Sequence, residues 1–233
     1  MSTTRLLILG AVRIFQPVHG YLVRSELISW DVDRWAHLNP GSVYNALRKL
    51  SRDGLLVETA TDPGLLGAAR TTAYTLTREG EDEFVSLVRS TLGTVDEFAA
   101  DSLMAGVAFM WALPRAEVLT LLQGRLEALA ACAGLEASLE RMRCDPEMPE
   151  HVQEVQRLVN ARLSGEAQWT REVIERIREG RYVFDGETPH AGGHPHTPGH
   201  ADTRHADARH ADARHADAAP ADARGQAARA SAR

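Results

Sequence analysis

Four side chains with hydrogen-bonding groups recur at helical spacing in the segment between Asn39 and Gly54, namely Asn45, Arg48, Lys49 and Arg52. At about 100° per residue they share one face of a helix with Gly41, while the opposite face is apolar, carrying Val43, Ala46, Leu47 and Leu50. Guanidinium, ammonium and amide groups donate hydrogen bonds to base edges and to phosphates. Most charged helix faces are simply solvated, but this one favours recognition of double-stranded DNA in a major groove.

The ends of this segment predict a helix over 40–52. Asn39 is a good N-cap, Pro40 suits the first helical position, and Gly54 suits a left-handed stop. At the tip of the helix, Gly41 and Ser42 are small enough to let the backbone approach a ligand closely.

Three further side chains, two in the first turn of this helix and one in the preceding helix, are candidates for phosphate contacts. Ser42 and Tyr44 carry hydroxyl groups in its first turn, which suits them to phosphate rather than to base edges. Tyr21, which follows His19 at the start of the preceding helix, has two interpretations that we leave open. It either contacts phosphate or caps and packs its own helix.

No group of residues predicts catalysis or a metal centre. The histidines before residue 185 are His19, His37 and His151, and none lies near a serine or cysteine in a nucleophile motif. Cys132 and Cys144 have no second pair to complete a zinc site. We therefore expect no enzyme activity, no catalytic residue, no metal and no cofactor.

The charge balance argues against an overall basic DNA-binding protein. Lys and Arg number 26, Asp and Glu number 32, and the net charge is -6. Neither part of the chain is basic, since residues 1–184 carry 20 basic and 25 acidic groups and residues 185–233 carry 6 and 7. A DNA-binding surface must therefore come from local segregation of charge.

The first 88 residues predict a winged helix-turn-helix domain. Apolar spacing predicts helices over 4–15 and 20–29, joined by a Trp-rich connection over 30–38 to the helix over 40–52. Two β-rich runs, over 55–61 and 70–76, flank a turn and form a two-stranded hairpin, the wing. In this fold the third helix enters DNA and the wing contacts the adjacent backbone. Tyr74 is expected to pack within the wing.

Residues 89–184 predict a domain of long helices. Thr77 is a plausible N-cap, Pro114 starts one long helix, and leucines and valines form apolar stripes along the sequence up to residue 182. Trp111 and Trp169 are candidates for an effector pocket, although aromatic residues at helical spacing more often belong to a core or a dimer contact. The fold class is thus mainly α.

Residues 185–233 predict a disordered low-complexity tail. Five-residue units such as His205-Ala-Asp-Ala-Arg repeat there, and they offer almost no apolar surface to bury. Weak metal binding, or a gain of positive charge on the seven tail histidines at low pH, is the alternative to a tail without function. We expect folding and dimerisation without it.

No apolar run approaches the roughly 18 residues that span a bilayer, and the first residues do not form a signal-peptide core. We expect a cytoplasmic protein with no membrane partner.

Over residues 4–182 the sequence resembles the PadR family of bacterial transcriptional regulators. Five segments carry the resemblance in order: Leu6-Leu-Ile-Leu-Gly10, His19-Gly-Tyr21, Asn39-Pro-Gly-Ser-Val-Tyr-Asn-Ala-Leu-Arg-Lys-Leu50, Asp53-Gly-Leu-Leu56 and Tyr74-Thr-Leu-Thr-Arg-Glu-Gly80. The resemblance implies that residues 89–184 form an α-helical dimerisation domain, and that the homodimer represses from a palindromic operator until a small-molecule effector or another signal releases it. A basic residue is expected at the base of the second wing strand. That position falls on Thr71 here, with Arg70 one residue earlier, so Arg70 is the wing candidate.

One competing hypothesis is a winged helix that binds only other proteins, which the acidic net charge favours. Salt dependence distinguishes the two, because a DNA-binding protein loses affinity steeply as salt concentration rises.

Overall fold

The computed structural model describes residues 3–36, 38–39, 41–61, 71–96, 100–142 and 150–187. These residues all belong to one compact unit, Met1–Gly193. The N-terminal elements are α1 (Thr3–Phe15), β1 (Val18–His19), α2 (Gly20–Ser29), α3 (Val32–Trp35), α4 (Ser42–Arg52), β2 (Leu56–Thr61) and β3 (Thr71–Leu76). They are followed by α5 (Arg78–Gly93), α6 (Ala100–Ala108), a 3-10 turn (Met110–Ala112), α7 (Arg115–Met142) and α8 (Glu150–Arg178). The mainly helical fold class is confirmed.

Helices α1 and α2 confirm the predicted spans to within a residue. All residues of α1 from Leu6 to Val12 are buried, because apolar residues occupy every side of this helix. In α2, Val23 and Leu27 face the core.

The connection between α2 and α4 differs from the prediction in two ways. It contains the one-turn helix α3, and α4 begins at Ser42 rather than at Pro40. The reason lies in a turn at Asn39, whose side-chain Oδ1 accepts from the Gly41 N–H at 2.9 Å and whose carbonyl accepts from the Ser42 N–H at 2.8 Å. The prediction of Asn39 as the N-cap is therefore wrong: Gly41 is the N-cap residue, and Asn39 forms the turn before it. Pro40 and His37 lie outside the described residues.

The predicted stop of α4 at Gly54 is confirmed. Gly54 has φ +77°, a left-handed conformation that favours glycine. The N–H of Leu55 then donates back to the carbonyl of Leu50 at 3.0 Å, which satisfies one of the last free carbonyls of the helix.

The wing strands β2 and β3 pair antiparallel from Leu56 opposite Leu76 to Thr61 opposite Thr71, as predicted. The prediction of two strands was nevertheless incomplete, because β1 adds a third strand and the order is β1-β3-β2. Val18 lies opposite Tyr74 in this added pair. A two-residue strand leaves no periodic pattern to detect, yet it holds the start of α2 against the wing.

The starts of the later helices follow the predicted signals closely. The Thr77 side chain accepts from the Gly80 N–H at 2.9 Å, which confirms Thr77 as the N-cap of α5. Helix α7 begins at Arg115, one residue after the predicted Pro114, whose carbonyl accepts from the Val118 N–H at 3.1 Å. Within the described residues, no helix is both long and apolar enough to cross a membrane.

A single hydrophobic core includes residues on both sides of the domain boundary predicted at residue 88. Its centre is the Phe109 ring, which lies edge-on to Phe84 at 5.5 Å and to Trp30 at 6.2 Å between ring centroids. Trp30 comes from the Trp-rich connection, so that segment packs against residues from the C-terminal half. The division into domains at 88 stays a prediction.

The helical domain was predicted to end at residue 184, but hydrogen bonds and an ion pair with it extend to Glu187. The Asp185 N–H donates to the Trp111 carbonyl at 2.9 Å, and Glu187 forms an ion pair with Arg115 at 2.6 Å. Residues 188–233 lie outside the described residues, so the tail stays a prediction. A truncation intended to preserve the fold should therefore retain Glu187.

The Phe109 ring gives a direct test of the shared core. It lies so close to Gly10 of α1 that a Cβ added there would be 2.2 Å from Phe109 Cζ. Because Phe109 is buried between two other rings, it has little room to move, and we expect Gly10→Ala to destabilise the protein by about 1–3 kcal/mol in urea unfolding. Gly124 has open space around its Cβ position, so the control Gly124→Ala should instead stabilise by about 1 kcal/mol. Unchanged stability of Gly10→Ala would contradict this packing.

Candidate nucleic-acid interface

Helix α4 is divided into a buried and an exposed face. Val43, Leu47 and Leu50 are buried in the core, as the sequence pattern predicts. The predicted contact residues lie on the outer side: Asn39, Gly41, Tyr44, Asn45, Arg48, Lys49 and Arg52 are exposed and Ser42 is half-buried. The geometry required for contact is thus present, while contact with DNA itself stays a prediction.

Hydrogen bonds order the exposed face of α4. The Arg48 guanidinium donates to Asn45 Oδ1 at 2.7 Å, and Arg52 Nε donates weakly to the Arg48 carbonyl at 3.4 Å. Among the residues that the structure describes, no carboxylate lies within 4 Å of Arg48, Lys49 or Arg52. Their positive charge is therefore available to an anionic partner.

The arginines of α1, unlike the cations of α4, form ion pairs with carboxylates. Arg5 pairs with Glu83 at 2.8 Å, and Arg13 pairs with Glu81 at 2.7 Å, so acidic residues of α5 neutralise them. The arginines of α1 are thus neutralised by ion pairs, whereas the cations of α4 form no ion pair within the described residues. This difference provides the local segregation of charge that a DNA-binding surface on an acidic protein requires.

Two tyrosines lie at the junction of α2 and α4. Tyr21 is 60% exposed, and its ring stacks on His19 with a centroid distance of 5.8 Å. A Cβ added at Gly20 would be 3.2 Å from the Tyr44 ring, which shows that Tyr44 lies against the start of α2. The structure therefore brings the first turns of both helices, with Tyr21 and Tyr44, close to each other.

Arg24 is an exposed cation at this junction that the sequence patterns did not single out. It lies one helical turn after Tyr21 and lines a small cleft with Asp33, Leu38 and Val43 beside the start of α4. No ion pair of Arg24 occurs among the described residues. Its i+3 spacing from Tyr21 was the signal that could have identified it.

On the wing, Tyr74 packs as predicted and is buried. Burial raises the pKa of its hydroxyl, Glu58 opposite it on β2 raises that pKa further, and the nearby Arg48 lowers it. Tyr74 is thus a neutral packing residue close to the α4 face. Arg70, the predicted wing contact, lies outside the described residues.

The two effector candidates lie away from this face. The Arg13 guanidinium lies 5.2 Å from the centre of the Trp111 ring and 5.3 Å from that of Phe84, so Trp111 helps pack α1 against the 3-10 turn. Trp169 on α8 is partly buried against the core. An effector role for either residue stays a prediction.

A helix-turn-helix followed by a β hairpin, with the third major helix offering an exposed cationic face, defines the winged helix-turn-helix class. Residues 8–86 match the model of the Transcriptional regulator PadR-like family. The winged-helix part of this chain is therefore similar to the PadR-like transcriptional regulators.

Solved structures of PadR proteins resemble the chain at low identity. Bacillus subtilis PadR in complex with operator DNA is 21% identical, with 74% of this chain and 98% of that chain covered and a TM-score of 0.34. For Bacillus subtilis PadR in complex with p-coumaric acid the values are 20%, 76%, 99% and 0.32. For a PadR-like transcriptional regulator from Bacillus cereus they are 19%, 74%, 94% and 0.30. Among curated proteins no significant match was found.

The unpaired α4 face predicts a specific effect of Arg48. If its guanidinium reads a base edge, Arg48→Ala should weaken binding to a duplex selected by the protein from a random library by about 1–3 kcal/mol. Arg171 is exposed on α8, so Arg171→Ala serves as the matched control and should bind as the wild type does. Fluorescence anisotropy at two salt concentrations measures both variants. Equal losses in the two variants would show that total charge, rather than the α4 face, governs binding.

Proposed function

We propose that this protein is a sequence-specific DNA-binding repressor that acts as a homodimer on an inverted-repeat operator. The observation that carries the proposal is the α4 face, where Asn45, Arg48, Lys49 and Arg52 are exposed and have no carboxylate partner within the described residues. The match of residues 8–86 to the model of a transcriptional regulator family supports the same function.

In this proposal α4 lies in a major groove. Arg48 and Lys49 are suited to the acceptors of guanine, and Asn45 is suited to adenine. Ser42, Tyr44, Tyr21 and Arg24 flank these residues and would bind phosphates, which position the helix without reading sequence. The wing would contact the adjacent backbone, where Arg70 is the candidate.

The second copy is proposed to bind along α8. Val155 is 65% exposed and Leu158 is 64% exposed, and their spacing of three residues makes them neighbours in one apolar patch on α8. They belong to a stripe along one side of α8 with alternating spacings of four and three residues: His151, Val155, Leu158, Arg162, Gly165 and Trp169. A two-fold dimer through this stripe would present two α4 helices to inverted half-sites.

Repression would follow from occupancy, because a dimer bound across an operator blocks access of the transcription machinery. A small-molecule effector bound near Trp111 or Trp169 in the helical region is proposed to release it. The proposed place of action is the cytoplasm, where the operator is found.

The net charge of -6 favours a second candidate, a winged helix that binds proteins only. Direct protection of the α4 face by DNA distinguishes the two functions, and the sequence offers an exceptional probe. Lys49 is the only lysine in the 233 residues, so an amine-acylating reagent labels its Nζ and the N-terminal amine.

We expect the selected duplex to slow acylation of Lys49 by about tenfold when free duplex is present at about ten times Kd. The N-terminal amine in the same sample is the internal reference, and mass spectrometry of the digested protein measures both sites. A duplex of the same composition in scrambled order should protect Lys49 less. Equal labelling of Lys49 with and without saturating DNA would exclude α4 as the contact surface and favour the protein-binding alternative.

The α8 stripe gives a separate prediction. Leu158→Glu should shift sedimentation from dimer to monomer, because paired copies would bury two carboxylates in an apolar contact. Met104 is also exposed, on α6 outside the stripe, so Met104→Glu should remain dimeric. If Leu158→Glu remains dimeric too, the stripe is not the interface.

A further inference from the structure

The C-terminal end of α5, the last helix of the winged-helix domain, is capped by a buried arginine from another helix. Arg125 on α7 is only 2% exposed. Its Nη1 donates to the carbonyls of Thr91 and Leu92 at 3.2 Å each and to that of Thr94 at 2.6 Å. A cation is favourable at this end of a helix, where the last carbonyls carry partial negative charge.

The other side of the same guanidinium binds α8. Its Nε and Nη2 lie 2.7 Å and 2.6 Å from Glu166 Oε1. The backbone of Glu166 is itself engaged, since its carbonyl accepts from the buried Thr170 hydroxyl at 2.7 Å. One planar group therefore connects the end of α5 to both long helices.

The contacts of Arg125 differ in burial from a second polar contact between α5 and α7. Arg89 on α5 and Glu117 on α7 form an exposed ion pair, which lowers the pKa of Glu117 but is screened by water and contributes little. Arg125, by contrast, is buried, and leaving one of its partners unpaired is costly. Arg125 and Glu166 thus connect the end of α5 to α7 and α8 through buried contacts, in addition to the shared hydrophobic core.

We propose that the Arg125–Glu166 pair is a positioning device that sets the half-site spacing at which the dimer binds. This inference rests on the proposed function, because it requires two copies paired along α8 and two α4 helices on one operator. If α8 fixes the dimer and Arg125 fixes α5 relative to α8, the distance between the two α4 helices is fixed through this pair. Each base pair of added spacing also rotates a half-site by about 35°, so a rigid dimer should discriminate between spacings.

The test uses the full chain and a series of duplexes. Each duplex carries two inverted copies of the half-site that the wild type selects from a random library, with their centres moved apart or together in single base-pair steps. A duplex with one half-site completes the series. Binding is measured for wild type, Glu166→Gln and Arg125→Lys, with Glu172→Gln as the matched control because Glu172, among the described residues, pairs only with Gln168 and Arg176 of its own helix.

The wild type and Glu172→Gln should prefer one spacing by about tenfold over spacings two base pairs away, a difference of about 1.4 kcal/mol. Glu166→Gln keeps the size of the side chain and leaves the α5 carbonyls capped, but it removes the charge that binds Arg125 to α8. Its preference should fall to about threefold or less, with single half-site binding unchanged within about twofold. Arg125→Lys should flatten the profile further, because one ammonium cannot reach α5 and α8 together.

A merely structural role would lower the melting temperature and leave the relative preference among spacings as in the wild type. That result for Glu166→Gln overturns the inference, and it is decisive even if Arg125→Lys fails to fold. Flattening by Glu172→Gln as well would also overturn it, since the effect would not depend on the α5 junction. If the wild type binds none of the duplexes, the proposed function itself is refuted. If the wild type shows a spacing preference and the variants share it, only the inference about the Arg125–Glu166 pair is refuted.

Discussion

The pairing of arginines with carboxylates decides where this acidic chain can attract an anion. Arginines occur throughout the described part of the chain, and several of those on α1 and α7 form ion pairs with glutamates: Arg5 with Glu83, Arg13 with Glu81, and Arg125 with Glu166. The cations of α4 have no such partner within the described residues. The field near the protein is therefore governed by this local difference rather than by the net charge of -6.

The free face of α4 depends in turn on how firmly its other face is held. Val43, Leu47 and Leu50 bury one side of the helix in a core that extends through α1 to Phe109. Phe109 can approach α1 because residue 10 is glycine, and Trp30 from the connection before α3 covers another side of its ring. Close packing thus connects the orientation of α4 to the C-terminal helices, so a dimer contact on α8 would be linked through this core to the exposed face of α4.

Much of this architecture was predictable because it depends on local signals. The glycine at 54, the threonine cap at 77 and the apolar spacing in α1 and α4 each act over a few residues, and the structure agrees with them. The short strand β1 and the start of α4 were missed or displaced, since both depend on a partner or a turn geometry without a periodic pattern. Arg125 was missed for a stronger reason: its role comes from carbonyls 31 to 34 residues away and from Glu166, 41 residues away. Spacing along one helix cannot reveal a contact that three helices create together.

The small size of the cationic face has a consequence for how affinity would be distributed. A face with three positive side chains releases few counterions, so one copy would bind DNA weakly at physiological salt. Linking two such faces raises the effective concentration of the second near its half-site, but only where the geometry lets both bind together. A fixed position of α4 relative to α8 would therefore raise the DNA affinity of the dimer more in this protein than in a strongly basic one. A buried guanidinium that joins α5, α7 and α8 supplies such rigidity at the point where the winged helix leaves the long helices.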